Sequence, residues 1–318
     1  MNPFTRRPSQ SVAAHGELRL IADVRRWLGD TSPRSPYGIG DDCAVLPPSR
    51  QAQLVTTDPV VYGRHFDDTV SARAAGAKLL KRNLSDIAAM GGRPVSAVVS
   101  LALAPGTRLA WLRQFYLGLA ACARRHGVRI VGGDITEAPP RFFGAFLTLH
   151  GVAAGRAVPR HGARAGDLIY VTGRLGGSLL GHHLRFTPRL AEGAWLARRS
   201  EVRAMMDLSD GLAKDLGSLT ARGLAGALQP AAVPVSAAAR RLARTTGRTA
   251  LAHAVADGED YELLLVLRRG SATARFERDW RRRFPRLALT LIGRFVPAGR
   301  LPTGALRLEL YPGYEHLR

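Results

Sequence analysis

The sequence has little cysteine and no long apolar run. Only Cys43 and Cys122 are available to pair among 318 residues, which excludes a disulfide framework and is typical of proteins from a reducing cytosol. Polar residues or glycines interrupt each hydrophobic stretch before the roughly 20 apolar residues that span a bilayer. The first ten residues carry two arginines but no apolar segment behind them, so no cleaved signal peptide is expected. These absences predict a soluble cytoplasmic protein.

Aromatic residues are also scarce, although the charge balance is strongly basic. A formal net charge of +21 suggests nucleic-acid binding, because clustered cations bind phosphate backbones. The cations are dispersed, however, and nearly all are arginine, with lysine only at Lys78, Lys81 and Lys214. Aromatic residues make up 7% of the chain, too few for the stacking platform of single-strand binders. Nucleic acid is therefore not expected to be the primary partner.

What the sequence does contain is an alternation of helical and strand patterns in both halves. The first half has helical patterns at about 69–90 and 109–125 and strand patterns at about 95–103 and 128–131. The second half has strand patterns at 168–171 and 263–267, with a helical pattern at about 211–222 between them. The composition changes near residue 150, which predicts an N-terminal domain at 1–152 and a C-terminal domain at 153–318. Each half is predicted to be α+β.

The positions of the acidic residues are the most informative feature. Ten of the 25 acids fall in short segments rich in Gly, Ser or Thr, mostly at predicted ends of strands or helices. Carboxylates and threonine hydroxyls are the hard oxygen donors that Mg²⁺ prefers, and Mg²⁺ in turn bridges phosphate oxygens. The segments are 38–42, 56–58, 83–86, 132–134, 207–215 and 258–260.

Each acidic segment also has a plain structural explanation when it is taken alone. Asp210 before Gly211 suits a helix cap, Asp134 suits a turn, and Asp86 lies four residues from Arg82, the spacing of a helical ion pair. Six such segments in a chain short of acids are harder to explain as independent caps. A shared polyphosphate and metal site accounts for all of them together.

The two best-known nucleotide-binding signatures are absent. The chain has neither G-x-x-x-x-G-K-[ST] nor a G-x-G-x-x-G fingerprint between a strand and a helix, so neither a P-loop nor a Rossmann site is expected. The nearest approach is the glycine-rich segment 173–178, which either contacts phosphate or only packs the second half.

Taken in order, the acidic segments and their neighbours resemble the thiamine-monophosphate kinase family of the aminoimidazole-ribotide synthetase-like superfamily. The resemblance runs from about residue 16 to the end of the chain. It rests on GIGDDCAVL, TTD followed by GRHF, NLSDIAAMGGRP, GGDIT, GDLIYVTG, MDLSDGLAKDL, GEDYELL and the closing GYEH.

This resemblance implies a two-domain α+β fold of the aminoimidazole-ribotide synthetase type. The N-terminal domain is expected to bind ATP and Mg²⁺ and to pair its sheet with that of a second subunit in a homodimer, with a C-terminal α+β domain beside the ATP site. The implied reaction is direct in-line transfer of the γ-phosphoryl group of ATP to thiamine monophosphate, giving thiamine diphosphate. Because the acceptor phosphate is already anionic near pH 7, positioning and charge neutralisation suffice and no general base is needed.

The resemblance also implies roles for individual residues. The expected Mg²⁺ ligands are Asp42, Thr56, Thr57, Asp58, Asp86, Asp134, Asp207 and Asp210. The expected ATP contacts are Tyr116, Gly133, Asp134, Arg160 and Ser209, and the expected contacts to thiamine monophosphate are His65, Glu259 and Tyr314. The residues expected to matter most for catalysis are Asp42, Asp58, Asp134, Asp207 and Arg160.

Some positions depart from the usual family pattern and leave other acceptors open. These are Tyr62, Arg64, Pro159 and Asp257. One alternative is another ATP-dependent enzyme of the superfamily that acts on a different small acceptor. A selenophosphate synthetase is disfavoured, because the first 40 residues contain neither cysteine nor lysine. A catalytically inactive nucleic-acid-binding relative is also disfavoured, because clustered acids without a metal repel one another.

Overall fold

A computed structural model describes residues 2–35, 37–39, 43–270 and 272–314. The chain divides into two compact units. The first unit comprises Met1–Ile87 and Arg93–Val152, and the second comprises Ala88–Gly92 and Ala153–Arg318. No helix in the described ranges is both long and apolar enough to cross a membrane.

The first unit is built on a four-stranded sheet. Its elements in chain order are α1 (Val12–His15), α2 (Glu17–Leu28), β1 (Gln53–Val61), α3 (Ala72–Ala89), β2 (Gly92–Leu103), α4 (Leu109–His126), β3 (Arg129–Glu137) and β4 (Phe143–Ala153). The strand order is β1-β4-β2-β3. Strands β1 and β4 are antiparallel with Thr57 opposite Thr148, whereas β2 and β3 are parallel.

One face of this sheet packs on helices. Phe143 of β4 lies with its ring centroid 4.8 Å from that of Trp111 and 5.4 Å from that of Phe115, both on α4. The opposite face is more open, because strand side chains alternate between faces and Val55, which is 70% exposed, points outward together with Phe146. The helical pattern predicted at 109–125 is confirmed by α4, whose buried residues recur at helical spacing.

The second unit contains a five-stranded antiparallel sheet with the order β6-β8-β5-β9-β7. Its elements in chain order are β5 (Leu168–Thr172), α5 (His182–Arg185), α6 (Leu190–Leu196), β6 (Val202–Asp207), α7 (Leu212–Leu219), β7 (Leu224–Leu228), α8 (Ala237–Thr246), α9 (Ala250–Ala256), β8 (Leu263–Leu267), α10 (Thr273–Arg283) and β9 (Leu289–Pro297). The predicted strands at 168–171 and 263–267 are confirmed.

Both faces of the second sheet are covered. Leu264 and Val266 of β8 belong to a core with α7 and α9, whereas Leu263, Leu265 and Leu267 belong to a core with Phe276 and Trp280 of α10. This two-sided burial explains why β8 is an uninterrupted apolar run. It also fixes the end of the loop at 258–262, which immediately precedes this strand.

Candidate functional site

In the first unit, polar side chains connect the edge strand to a helix. The Thr56 hydroxyl on β1 donates to Asp86 Oδ2 on α3 at 2.5 Å. Arg82, also on α3, donates through Nη2 to Asp58 Oδ1 at 3.4 Å and through Nη1 to the Pro59 carbonyl at 2.7 Å. The structure therefore brings Thr56, Asp58 and Asp86 to one side of β1.

Thr57 points to the other face of the same strand. Its hydroxyl oxygen accepts a hydrogen bond from the Thr148 hydroxyl on β4 at 3.3 Å, on the face that carries Val55. Side chains of neighbouring strand residues face opposite ways, so only the backbone carbonyl of Thr57 remains to join a ligand set with Thr56 and Asp58. The Thr56 and Thr57 hydroxyls thus bond on opposite faces of β1, and the role of both residues as Mg²⁺ ligands stays a prediction.

A pocket of about 270 Å³ lies in the first unit beside β3. Apolar side chains of α2, among them Val24 and Leu28, form one wall, while Tyr116, Gly133 and Asp134 contribute to the others. Gly133 is required by packing, since a Cβ there would lie 2.0 Å from the Val99 carbonyl oxygen. Burial raises the pKa of Tyr116, so that its hydroxyl keeps its proton and remains a hydrogen-bond donor.

His65 lies in the turn that follows β1. Its Nδ1 accepts the Val61 backbone N–H at 3.0 Å, which places the ring proton of the neutral imidazole on Nε2. The buried Lys78 ammonium donates to the His65 carbonyl at 2.9 Å. The neighbouring Tyr62 donates its hydroxyl to Asp68 Oδ1 at 2.8 Å, and this hydrogen bond raises the Tyr62 pKa.

In the second unit, two loops pair through their backbones. One follows β6, which ends at Asp207, and carries Ser209, and the other precedes β8 and carries Glu259 and Tyr261. The Glu259 N–H donates to the Ser209 carbonyl at 2.7 Å, and the Tyr261 N–H donates to the Leu208 carbonyl at 2.8 Å. Both Glu259 and Tyr261 have a positive φ of 53°, an uncommon conformation that positions their side chains.

The C-terminal segment joins these loops at Asp210. The Tyr314 N–H donates to the Asp210 carbonyl at 3.1 Å. The Lys214 ammonium donates both to Asp210 Oδ2 at 2.7 Å and to the Tyr314 carbonyl at 2.6 Å. The residue that caps α7 is Gly211, with no side-chain cap, so the helix-cap explanation of Asp210 is wrong. The structure brings Asp207, Ser209, Asp210, Glu259 and Tyr314 together within this unit.

Two buried acids lie behind this loop pair. Asp215 on α7 accepts the Asp210 N–H at 3.0 Å, and burial, followed by the charge of Asp207, raises its pKa to about 7. Asp260 is 1% exposed and accepts the Gly176 N–H at 2.8 Å through Oδ1. Its Oδ2 has no hydrogen-bond partner among the described residues, and burial raises the Asp260 pKa well above its usual value.

Comparison with known proteins places this architecture in a family. The model of the AIR synthase related protein, N-terminal domain, matches residues 40–157. The thiamine-monophosphate kinase of Rhodopirellula baltica is 38% identical over 260 residues, which cover 78% of this chain and 81% of that protein. The chain belongs to the thiamine-monophosphate kinase family. The fold is accordingly of the aminoimidazole-ribotide synthetase type.

Solved structures of the thiamine-monophosphate kinase family agree with this assignment. The crystal structure from Stenotrophomonas maltophilia K279a is 32% identical, covers 88% of this chain and 93% of its own, and superimposes with a TM-score of 0.72. The structure of AaThiL complexed with AMPPCP and TMP is 28% identical, covers 95% and 97% of the two chains, and gives a TM-score of 0.71.

Two further residues expected from the family are Asp42 and Arg160. Asp42, expected as a metal ligand, lies outside the described residues. Arg160 is exposed on the segment between β4 and β5, and this segment is tied to β6 where the Met205 N–H donates to the Pro159 carbonyl at 3.1 Å.

The glycine-rich segment 173–178 packs the second unit of this kinase-family fold. The Gly176 and Gly177 N–H groups donate to the carboxylates of Asp260 and Asp257, the latter at 3.1 Å. Asp257 also lies 2.9 Å from His253 Nδ1 and 3.3 Å from Arg248 Nη1. These amides are engaged by protein carboxylates, which favours packing over phosphate contact and gives Asp257 a structural role.

Asp215 and Asp260 belong to the acidic segments that predicted a shared metal site, whereas Glu262 had no predicted role. Glu262 is buried and forms an ion pair with Arg189, whose Nε donates to Oε2 at 2.8 Å, and it accepts the Thr172 hydroxyl at 2.6 Å. The signal available in the sequence was their placement inside the DGLAKD and GEDYE segments. Their partners lie far away in the chain, so that no local pattern identifies the contacts.

Proposed function

We propose that this chain catalyses the transfer of the γ-phosphoryl group from ATP to thiamine monophosphate, giving ADP and thiamine diphosphate. The observation that carries the proposal is the loop pair of the second unit. In this pair the Glu259 N–H donates to the Ser209 carbonyl, two residues after Asp207, and the Tyr314 N–H donates to the Asp210 carbonyl. These contacts support a site shared by two proposed metal ligands, Asp207 and Asp210, and two proposed acceptor contacts, Glu259 and Tyr314. The relative complexed with AMPPCP and TMP supports the same pair of substrates.

The nucleotide is proposed to use the first-unit pocket. Its apolar wall from α2 suits a purine base, and the protonated Tyr116 hydroxyl supplies a hydrogen-bond donor. Gly133 allows close backbone approach, and Asp134 lies at the same pocket next to it. Ser209 and Arg160 are proposed as further ATP contacts from the second unit.

The donor set fits Mg²⁺. The side chains proposed to bind it are oxygen donors only, from Asp42, Thr56, Asp58, Asp86, Asp134, Asp207 and Asp210, with the backbone carbonyl of Thr57. Burial, followed by the charge of Asp207, raises the Asp215 pKa, and a divalent cation bound beside these carboxylates would reduce their mutual repulsion. Mg²⁺ held by these residues would neutralise negative charge and so reduce the repulsion between the two substrates.

The protein's own residues then act by positioning. An acceptor phosphate oxygen forms a bond to Pγ while the bond from Pγ to the β-phosphate bridging oxygen breaks, and the electron pair leaves with ADP. Arg160 is proposed to take part of the charge on the transferred group. Glu259, whose carboxylate accepts the Tyr261 hydroxyl at 3.0 Å, is suited to attract the cationic thiazolium ring. His65 and Tyr314 are proposed as further acceptor contacts.

The exposed face of the first-unit sheet is proposed to pair two subunits in a homodimer. It presents Val55, Val98 and Phe146 next to the edge strand β1. Exposed apolar side chains on an open sheet face mark interaction surfaces, and homodimers use the same patch on both partners. A cytoplasmic location is proposed as well, and the free thiols of Cys43 and Cys122 support it.

The reaction is tested with purified protein, Mg²⁺ and ATP, using thiamine monophosphate, thiamine, aminoimidazole precursors or no acceptor. We expect ADP and thiamine diphosphate in equal amounts with thiamine monophosphate alone, measured by ion-exchange chromatography. Folded protein that binds ATP but forms product only with another acceptor would contradict the proposed substrate.

The dimer is tested separately by sedimentation equilibrium. Val55→Asp should convert the dimer to a monomer, whereas Arg113→Asp on an exposed position of α4 should leave it unchanged. A monomeric wild-type chain at micromolar concentration would contradict the proposed pairing.

A further inference from the structure

The loop at 257–262, which carries Glu259, is held by one other segment of the second unit. This segment, 172–189, runs from the end of β5 through α5 to the residue before α6, and we refer to it as the cradle. Polar groups of the cradle donate to several residues of the loop: Gly177 to Asp257, Ser178 to Gly258, Gly176 to Asp260 and Arg189 to Glu262. The cradle therefore fixes the loop on both sides of Glu259.

Tyr261 packs into the cradle through its ring. The residue is 2% exposed, and its ring stacks on that of Phe186, with the centroids 4.1 Å apart and the planes inclined by 16°. The Tyr261 hydroxyl donates to Glu259 Oε1 at 3.0 Å. Because Phe186 restricts the direction of the phenol, this hydrogen bond also restricts where the Glu259 carboxylate lies.

The backbone of the loop is strained on both sides of Asp260. Glu259 and Tyr261 have a positive φ of 53°, which costs energy in residues other than glycine and persists only where surrounding contacts hold it. Asp260 supplies such contacts, since its Oδ1 accepts the Gly176 N–H at 2.8 Å and its carbonyl lies 3.2 Å from His182 Nε2. The cradle thus maintains a conformation in which the Glu259 and Tyr261 side chains meet.

Core packing alone does not account for the Tyr261 hydroxyl. A phenylalanine would present the same ring to Phe186 and would bring no buried polar group that needs a partner. The hydroxyl instead bonds to the side chain of Glu259, which is only half-buried, and fixing such a long side chain costs conformational entropy. Because a phenol is neutral, this hydrogen bond orients the Glu259 carboxylate without cancelling its charge.

We propose that Tyr261, stacked on Phe186, is a positioning residue that holds the Glu259 carboxylate for the cationic thiazolium ring of the acceptor. The inference rests on the proposed function, which assigns Glu259 to this ring. Tyr261 is buried and acts through Glu259, so its hydroxyl should contribute to binding of the acceptor and not to the transfer step.

The test removes the hydroxyl alone. Tyr261→Phe keeps the ring on Phe186 and should raise KM for thiamine monophosphate about tenfold, the effect of losing one hydrogen bond to a charged group. Its kcat and its KM for ATP should stay within about twofold of wild type. The matched control is Tyr170→Phe, which deletes another tyrosine–glutamate hydrogen bond of the second unit, from the Tyr170 hydroxyl to Glu277 Oε1 at 2.6 Å. This control should leave all three constants unchanged.

A second measurement separates positioning from general loosening of the fold. Calorimetry with Mg²⁺ and no ATP compares thiamine monophosphate with its thiophene analogue, in which a neutral carbon replaces the charged ring nitrogen. Wild type and Tyr170→Phe should both prefer the cation, and this preference should fall about tenfold in Tyr261→Phe, because its Glu259 carboxylate is no longer held in place. General loosening would weaken both ligands alike, and thermal melting checks that each variant is folded.

Two outcomes would overturn this role while leaving the proposed reaction intact. One is a Tyr261→Phe variant that keeps both the wild-type KM for thiamine monophosphate and the wild-type preference for the cation. The other is an equal loss of affinity for the cation and its neutral analogue, which would make Tyr261 a structural residue only. A folded wild-type chain that binds neither ligand would overturn the proposed reaction and this role together.

Discussion

The two units bury some of their carboxylates to different depths. In the first unit, Asp58, Asp86 and Asp134 lie on a strand or helix and retain contact with solvent. In the second unit, Asp207 and Asp260 are nearly inaccessible and lie at the end of a strand or in a loop. The carboxylates of the first unit stay charged at little desolvation cost and are accessible to a ligand. Ionising the buried carboxylates of the second unit is costly, because water solvates them poorly.

This difference in burial predicts which substitutions change both ligand binding and folding stability. An exposed carboxylate is solvated whether or not a cation is present, so its removal changes ligand binding more than folding. A buried carboxylate must be paired, hydrogen-bonded or protonated, and the raised pKa values of Asp215 and Asp260 reflect that requirement. Substitutions in the second unit should therefore affect both folding and catalysis.

The largest stability effect should come from breaking the buried ion pair of the second unit. Glu262→Ala leaves Arg189 without its carboxylate and should cost about 3–5 kcal/mol of unfolding free energy. Asp58→Ala breaks the more open pair with Arg82 and should cost about 1 kcal/mol. Urea-dependent hydrogen exchange, read by mass spectrometry of peptides from each unit, measures both.

The control for this comparison is the double variant Glu262→Leu with Arg189→Met. Removing both charges together should recover much of the lost stability, because no unpaired ion remains buried. A double variant as unstable as Glu262→Ala would show that other lost contacts, such as the hydrogen bond from the Thr172 hydroxyl, and not an unpaired charge, dominate at this position.

The second prediction concerns catalysis. Asp134→Asn and Asp207→Asn should each lower kcat by about 10²–10³-fold, as expected for loss of preorganised charge in a phosphoryl-transfer site. Their stabilities should differ, since Asp207→Asn removes a charge that raises the Asp215 pKa. In EDTA, the Tm of Asp207→Asn should equal or exceed that of wild type.

Adding Mg²⁺ completes this second test. It should raise the Tm of wild type more than that of Asp207→Asn, because only wild type keeps the full ligand set. Near wild-type kcat for Asp207→Asn at saturating Mg²⁺ would rule out its role as a ligand.

The third prediction is a pH dependence at Asp260. Its raised folded pKa means that the folded protein binds more protons than the unfolded chain above the ordinary carboxyl pKa of 3.8. This residue's contribution to stability should therefore fall as pH rises above that value. Asp260→Asn, which is neutral throughout, should flatten the decline of Tm between pH 5 and pH 8, whereas an unchanged slope would contradict a protonated Asp260.

The prediction with the smallest effect tests whether burial changes the chemistry of a side chain, independently of the unit in which it lies. Cys43 is exposed and Cys122 is buried, and both lie in the first unit. Because burial raises the Cys122 pKa to about 11, iodoacetamide at pH 8 should modify Cys43 much faster, and the Cys122 rate should rise about tenfold per pH unit. Mass spectrometry of the labelled peptides gives both rates, and equal rates would contradict this account.

The strongest sequence patterns predicted their elements well. Helix α4 and strand β8 follow from regular apolar spacing and from a continuous apolar run, which tertiary contacts reinforce. Helix α10 was not predicted, because its sequence carries many arginines and its burial depends on only two aromatic residues, Phe276 and Trp280. Strand β7 was missed because LAGAL has no strand-forming side chains beyond its leucines.

The sequence motifs predicted which residues belong to the candidate site, but not which residues they contact. Ordered motifs identified Asp207, Asp210 and Glu259, but the backbone pairing of their loops is a tertiary feature. The contact from Gly176 to Asp260 spans 84 residues, and no local rule connects them. The opposite orientations of Thr56 and Thr57 follow from strand alternation, once β1 is known to include both.

The most direct test of the proposed reaction uses ATP radiolabelled in its γ-phosphate, with thiamine monophosphate and Mg²⁺, in a rapid-quench experiment. The proposed mechanism predicts that the label moves to the terminal phosphate of thiamine diphosphate, with one ADP formed for each labelled product. Label recovered as inorganic phosphate, with ADP formed but no labelled thiamine diphosphate, would contradict direct transfer to this acceptor.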